Sequence, residues 1–337
     1  MKIAVLTGGI TPEREVSLAS GKAVVEALRS LGHTVQAFDP AYGADQPSSE
    51  DELFLAATHG DLPDEKVLTT MSRRKIIEFF NSSHCDDTEV VFLIIHGEGG
   101  EDGTIQALLE MKGIPYTGSG VLSSALAINK NAAKIVFQHH NILTPAWIIV
   151  PFSASADEFL PHAAALGEPL VVKPNVGGST LGLSLVEKLD GDSLHRALQD
   201  SRRYSPDTLL ERYIPGRELT VAVVGDKAFP VVEIVPEGGL YDYTHKYTKG
   251  LTKYYCPADL DAETVEALHA SALKAFQVLG CRGFGRIDYR LSPEGTPYCL
   301  EVNSLPGMTA TSLVPKSAAA EGISFPELCQ MIIDTAK

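Results

Sequence analysis

The sequence lacks most of the features that would commit it early to a narrow class. Its five cysteines, Cys85, Cys256, Cys281, Cys299 and Cys329, are odd in number and none sits at CxxC spacing. A disulfide framework or zinc site is therefore not expected, and a reducing compartment fits. No apolar run approaches the roughly 20 residues of a membrane span. Met1–Leu6 is too short for the apolar region of a signal peptide and reads as a first strand, so a cytoplasmic protein is expected. Basic residues are few, 28 Lys+Arg against 43 Asp+Glu for a net charge of −15, which speaks against a nucleic-acid partner but leaves room for phosphates held by a few placed cations. There is no Gly-Lys-Ser/Thr phosphate loop, no completed GxGxxG, no repeat and no low-complexity tract. What remains is an ordinary globular composition, 44% hydrophobic, in 337 residues, more than one core holds and so two or three domains.

What is present alternates. Lys2–Leu6 is strand-like, and Leu18, Val24, Val25, Leu28 and Leu31 recur at helical spacing up to Gly32. Val35–Phe38 is strand-like again, and Val90–Ile95 is a continuous apolar run of the kind buried on both faces of a parallel sheet. This pattern predicts an N-terminal α/β domain over 1–129, with a less regular insertion near 41–88 that is partly helical over 66–80. An α+β unit is expected over 130–211, where a buried strand at 170–173 runs into the glycine-rich stretch Pro174–Gly182 and a returning strand, which makes a β-hairpin. A further α+β unit over 212–337 holds a hairpin at Gly225-Asp226, an amphipathic helix marked by Val265, Leu268, Ala272, Phe276 and Leu279, and two strands around a turn at Pro293-Glu294-Gly295.

Side chains alternate along a strand, so Arg286 and Asp288 share a face, as do Glu301 and Asn303. If the two strands pair, three hard oxygen ligands converge beside a guanidinium, which suits Mg²⁺ bridging nucleotide phosphates. A solvated polar face with a salt bridge is the plain alternative. The glycine-rich hairpin brings backbone N–H groups close to phosphate oxygens, or is simply a flexible turn. Lys130, Lys134 and Lys173 flank the second unit. Lys173 ends a buried strand, where an unpaired ammonium is costly, and is expected to face an anion site; Lys130 taken alone reads as a surface residue. His96 follows a buried strand at the end where parallel sheets place ligands, while Glu101 and Asp102 read as helix N-caps. The run Tyr241–Gly250 is either a mobile lid whose lysine reaches a phosphate or an exposed hairpin.

Taken in order, several stretches resemble the D-alanine–D-alanine ligases of the ATP-grasp superfamily: Glu13–Leu18, His96-Gly97-Glu98-Gly99-Gly100-Glu101-Asp102-Gly103, Pro115–Gly120, Tyr241–Tyr247, and Glu301-Val302-Asn303-Ser304-Leu305-Pro306-Gly307-Met308-Thr309 with Ser312–Pro315. The resemblance spans nearly the whole chain outside 41–88. It implies an ATP-grasp fold and a cytoplasmic homodimer that joins two D-alanines through D-alanyl phosphate for peptidoglycan precursors. Catalysis would be mainly positioning and electrostatics.

The resemblance also implies roles. Glu13 would hold the ammonium of the first D-alanine, with His96 near its carboxylate. Arg286 and the Gly307 N–H would form an oxyanion hole. Ser312 and the Leu313 N–H would take the carboxylate of the second D-alanine, and Ser179 and Tyr247 would tie the hairpin to Glu13. Lys130, Lys173 and Lys246 would hold ATP phosphates, Glu211, Arg212 and Ile214 would line the adenine pocket, and Glu218 would meet the ribose. Asp288, Glu301 and Asn303 would bind two Mg²⁺ ions, for which Mn²⁺ can substitute. Tyr247 resembles the residue of dipeptide-forming enzymes. Two positions depart from the family pattern: Asn129 stands where Asp is usual, and Gly177 where Glu is usual. The competing readings are a ligase for another pair of D-amino or D-hydroxy acids, a non-catalytic ATP-binding relative, and an oxidoreductase suggested only by Gly8-Gly9.

Overall fold

Parallel strands with helical crossovers build the first part of the chain, in a computed structural model that describes residues 1–55, 72–237 and 250–337. Strands β1 (Lys2–Leu6), β2 (Thr34–Phe38) and β3 (Val90–Leu93) form a parallel sheet in the order β2-β1-β3. All four residues of β3 are buried, as expected of a strand covered on both faces. It is shorter than the apolar run suggests: Ile94 and Ile95 stay buried but leave the strand, because the chain turns away through left-handed Gly97 and Gly99. The helix Arg14–Ser30 lays Leu18, Val24, Val25 and Leu28 on this sheet. The last helix, Phe325–Ile333, packs on that helix and adds Leu328, Cys329, Ile332 and Ile333 to the same core. The helix expected over 66–80 begins at Arg73 and runs to Asn81; residues 66–71 lie outside the described residues.

The second sheet is antiparallel. Strands β4 (Trp147–Val150), β5 (Leu170–Pro174), β6 (Ser184–Val186) and β7 (Thr208–Arg212) lie in the order β4-β7-β5-β6. β5 and β6 pair across the glycine-rich loop, which is the expected hairpin. The third sheet contains β8 (Arg217–Val224), β9 (Lys227–Ala228), β10 (Val232–Pro236), β11 (Thr252–Tyr255), β12 (Phe284–Leu291) and β13 (Pro297–Asn303). Its main order is β11-β10-β8-β12-β13. Helix Ala262–Val278, capped by the Asp261 carboxylate, lies on one face over Ile287, Tyr289 and Leu291. A side chain at Gly285 would come within 2.7 Å of the Phe276 ring, so glycine is what lets helix and sheet meet there. Among the described residues no helix is long and apolar enough to cross a membrane.

One ion pair lies entirely inside the first unit. The Arg14 guanidinium donates to the Gly9 carbonyl at 2.8 Å and pairs with Asp39, which accepts from the N–H groups of Gly9 and Ala41 at 3.0 and 2.9 Å. Burial pushes the Asp39 carboxyl upward, and Arg14 works against that push. Removing one partner strands the other charge, at a cost of about 3–5 kcal/mol. Asp39→Ala should therefore lower unfolding free energy by about that amount in urea melts, and Asp39→Ala with Arg14→Leu should cost less than the two single changes added.

Candidate active site

The antiparallel register of β12 and β13 sets Arg286 opposite Asn303 and Asp288 opposite Glu301. The underside of β12 is apolar and covered, so these four side chains share the open face. The guanidinium of Arg286 donates from Nε and Nη2 to the two Asp288 oxygens, both at 2.8 Å, a bidentate geometry that fixes both groups. On the other side of β12, Thr220 donates its hydroxyl to Asp288 at 2.6 Å. The Asn303 amide oxygen accepts from the Leu305 N–H at 3.2 Å.

Two clefts open on this face and meet at Lys130, Gly177, Gly178 and Glu301. The first encloses about 280 Å³ and is lined by Glu13, His96, Glu101, Ser179, Arg286, Asn303, Gly307, Ser312 and Leu313 among others. The second is lined by Lys173, Glu211, Arg212, Ile214, Glu218 and Asp288, with Tyr213 and Arg290. The structure thus brings sixteen expected site residues to two adjoining clefts. The other two, Lys246 and Tyr247, lie outside the described residues together with the rest of the expected lid at 241–249.

The lysines differ from expectation. Lys130 is buried, not a surface residue: its ammonium donates to the Gly177 carbonyl at 2.7 Å and lies 3.4 Å from Glu301. Its partners come from other elements, which is why its local sequence does not show this. Lys173 is not unpaired, since Glu211 lies 2.6 Å away and takes a second ammonium, that of Lys134, at 2.9 Å. Burial disfavours the charged form of Glu211, yet the two lysines together hold its carboxyl below the usual carboxylate range. Arg212 aims its Nε at the Leu166 carbonyl, so its guanidinium is anchored on the neighbouring helix. Glu218 lies 3.3 Å from the guanidinium of Arg290, which also donates to the Ile214 carbonyl at 3.0 Å.

In the first cleft, Glu13 sits at the start of helix Arg14–Ser30, and the Ser179 hydroxyl donates to it. Ser179 and Thr180 both take left-handed backbone angles, φ 51° and 60°. That conformation is costly for residues with a Cβ and is common where geometry serves a site. His96 is fully enclosed, with Nδ1 2.9 Å from the Leu305 carbonyl. A carbonyl only accepts, so Nδ1 carries the proton and Nε2 is an acceptor; Nε2 has no partner among the described residues. Burial, the largest influence, holds this imidazole below its usual pKa, against the pull of Glu13. Gly307 leaves room where a Cβ would approach the Ser312 hydroxyl to 2.9 Å. That hydroxyl accepts from the Thr309 N–H at 3.0 Å at the head of helix Leu313–Ala320.

Glu101, expected as a helix cap, turns its carboxyl back into the first cleft and accepts from the Gly97 N–H at 2.7 Å. Asp102 accepts from the Thr104 and Gly99 N–H groups. Thr220 and Arg290 stand out by nothing in the local sequence, and Lys134, which does stand out beside Lys130 one helical turn away, shows there nothing of its partnership with Glu211.

The clefts can be set beside those of known proteins. The family model described as D-ala D-ala ligase N-terminus matches residues 2–119, and the model of the D-ala D-ala ligase C-terminus matches residues 137–334. A D-alanine–D-alanine ligase of Gloeobacter violaceus is 40% identical over 335 residues, 99% of each chain. One from an Azoarcus species is 41% identical over 336 residues, 100% of this chain and 97% of that one. Among solved structures, D-alanine–D-alanine ligase from Bacillus anthracis complexed with ATP superposes with a TM-score of 0.75 at 31% identity, covering 99% of this chain and 97% of that one. The VanG D-Ala:D-Ser ligase from Enterococcus faecalis superposes with 0.79 at 28%, covering 99% and 98%.

Burial and the nearby Glu13 raise the Glu101 carboxyl from 4.5 to about 8. Between those values the folded protein holds a proton that the unfolded chain has released, so this contribution to stability is present at low pH and drains as pH rises toward 8. Glu101→Gln should flatten the fall in urea midpoint between pH 5 and pH 8. An unchanged slope would mean that Glu101 is ionised throughout.

Proposed function

The chain belongs to the D-alanine–D-alanine ligase family, and from that premise we propose that it joins two D-alanines at the expense of ATP, through D-alanyl phosphate, to supply the dipeptide for peptidoglycan precursors. One observation carries the reading: a cleft lined by an anion, Glu13, an acceptor, His96, and the guanidinium of Arg286 adjoins, at Lys130 and Glu301, a second cleft that is also lined by the buried Lys173. That is the layout needed to set a small zwitterion end-on to a nucleotide phosphate.

Glu13 takes the ammonium of the first D-alanine, and its bond from Ser179 lets the hairpin sense that this carboxylate is in place. The carboxylate of the same D-alanine attacks the terminal phosphorus of ATP, the bridging bond to the β-phosphate breaks and ADP leaves, while Lys130 and Lys173 offset the charge on the phosphate oxygens. In the second half-reaction another D-alanine, its ammonium having given up a proton to solvent, adds its neutral amine to the acyl carbon. Negative charge collects on one oxygen, for which Arg286 and the Gly307 N–H are the donors, and phosphate leaves. Ser312 and the Leu313 N–H, at a helix head, receive the second carboxylate. His96 works as an acceptor: with Nδ1–H committed to Leu305, its Nε2 receives an N–H of a substrate amine and does not act as a cation toward a carboxylate. In the second cleft, Glu211, Arg212 and Ile214 surround the base, and Glu218 meets the ribose.

Asp288, Glu301 and Asn303 fit Mg²⁺ or Mn²⁺: all three offer oxygen, and among the described residues no third acidic, His or Cys side chain completes a cage, which suits an ion that keeps water and phosphate ligands. Two such ions would neutralise charge on the transferring phosphoryl group. The same reading carries a three-unit organisation over 1–129, 130–211 and 212–337, a homodimer and a cytoplasmic setting.

The test is phosphate release with ATP, Mg²⁺ and D-alanine. Arg286→Ala should reduce it by about 10²-fold or more, with circular dichroism unchanged. The same assay with D-serine or D-lactate as the second substrate separates this reading from that of the VanG-like neighbour. A strict preference for D-serine would overturn the dipeptide assigned here.

A further inference from the structure

Lys134 takes no part in the chemistry above, yet its side chain has no exposure at all. It lies one turn beyond Lys130 on the helix Lys130–His139. Its ammonium donates to the Thr144 hydroxyl at 2.6 Å and the Pro145 carbonyl at 3.1 Å, and lies 2.9 Å from Glu211. Lys173 holds the other Glu211 oxygen at 2.6 Å. One buried carboxylate therefore faces two ammoniums. Lys134 is not in the lining of the second cleft but behind it, and these three buried groups together leave one positive charge over.

A buried surplus charge is costly unless something matches it. Resting on the nucleotide site proposed above, we infer that Lys134 is a positioning residue for the phosphates: acting through Glu211, it keeps that carboxylate partnered when Lys173 turns to a phosphate, and its surplus charge is met by the phosphate. Without Lys134, Lys173 would be the only counterion of a buried carboxylate among the described residues. Drawing it toward a phosphate would then leave a bare anion in the wall. The low exposure of Lys173 and the orientation of Glu211 toward both lysines make this exchange local, with no element displaced.

The effect belongs to the phosphates and not to the base, so it is read as the ratio of adenosine to ADP dissociation constants, measured by calorimetry with Mg²⁺ on the full chain. Lys134→Met keeps the side-chain volume beside Trp147 and removes the charge; the ratio should fall about tenfold or more, the scale of one charge acting across a few ångströms of partly screened protein. Glu211→Gln, which removes the anion instead, should move the ratio the other way. Lys134→Met with Glu211→Gln restores one surplus charge and should return the ratio to within about threefold of the original. A merely structural Lys134 would weaken adenosine and ADP alike and would leave the double variant no better than the single; either result overturns the inference. Should Lys134→Met alone fail to fold, a tenfold gap between Glu211→Gln and the double variant supports the inference, and equal ratios sink it. If the unaltered protein binds neither adenosine nor ADP, the nucleotide reading itself fails and this one with it; binding of both with no change in any variant overturns only the role of Lys134.

Discussion

A strand has only two faces, and everything at this site depends on which face Arg286, Asp288, Glu301 and Asn303 take. In an antiparallel pair a slip of one residue would exchange the polar set for the apolar one. Here the slip is blocked from below. Ile287 and Tyr289 on one strand and Cys299 and Val302 on the other are buried under helix Ala262–Val278, so moving the register would expose them and bury the charges. It is blocked from the side as well, since Thr220 on β8 both pairs with Asp288 and hydrogen-bonds to it. The core beneath the sheet thus serves as the registration device for the chemistry above it. The irregularity in pairing that follows Asp288 lies just past the paired polar residues and leaves them opposite one another.

The second constraint is electrostatic. Charges at the clefts are held by fixed partners: Glu211 lies between Lys134 and Lys173 and Lys130 between Gly177 and Glu301, each reaching across segments, while Arg286 is held by Asp288 two residues along β12. Pairs of this kind add little net stability, because desolvation offsets attraction. What they do provide is orientation. A guanidinium held in two places by one carboxylate, or a carboxylate shared by two ammoniums, has few other positions to adopt. The donors then need little reorganisation when charge develops on a substrate.

Much of this was legible in the sequence, for reasons that also explain what was not. Period-two and period-3.6 patterns are imposed by the core, so the strands and helices that carry the site could be read from their apolar residues. The shared face of Arg286 and Asp288 follows from alternation alone. Partnerships between distant segments leave no local trace. Lys130 looks like any polar residue near a helix start, because the carbonyl and carboxylate that bury it belong to the hairpin and to β13. Glu101 stands where a cap would stand, and only the turn through Gly97 and Gly99 shows that its carboxyl folds back beneath Glu13. The left-handed angles at Ser179 and Thr180 are equally silent, since neither residue is glycine.

The two departures from the family pattern gain meaning from their position. Asn129 and Gly177 lie on facing segments: Asn129 bridges to Val176, its side-chain oxygen accepts from the Asn175 amide at 3.2 Å, and Lys130 donates to the Gly177 carbonyl. Asn129 also accepts from the Ala132 N–H at 3.0 Å and so caps the helix that presents Lys130 and Lys134. Asn and Asp do this about equally well, so the helix start is preserved. At Gly177 the backbone sits at φ 128° with open space beside it; the backbone angle, and not crowding, is what a larger residue would strain. A carboxylate side chain at either position would add negative charge beside Lys130, which already faces Glu301. With amide and backbone groups there instead, the hairpin is joined to the helix by neutral acceptors, and the Lys130 charge is left to Glu301. The departures therefore alter how the hairpin is tied down while leaving the oxygen donors and the guanidinium on β12 and β13 as they are.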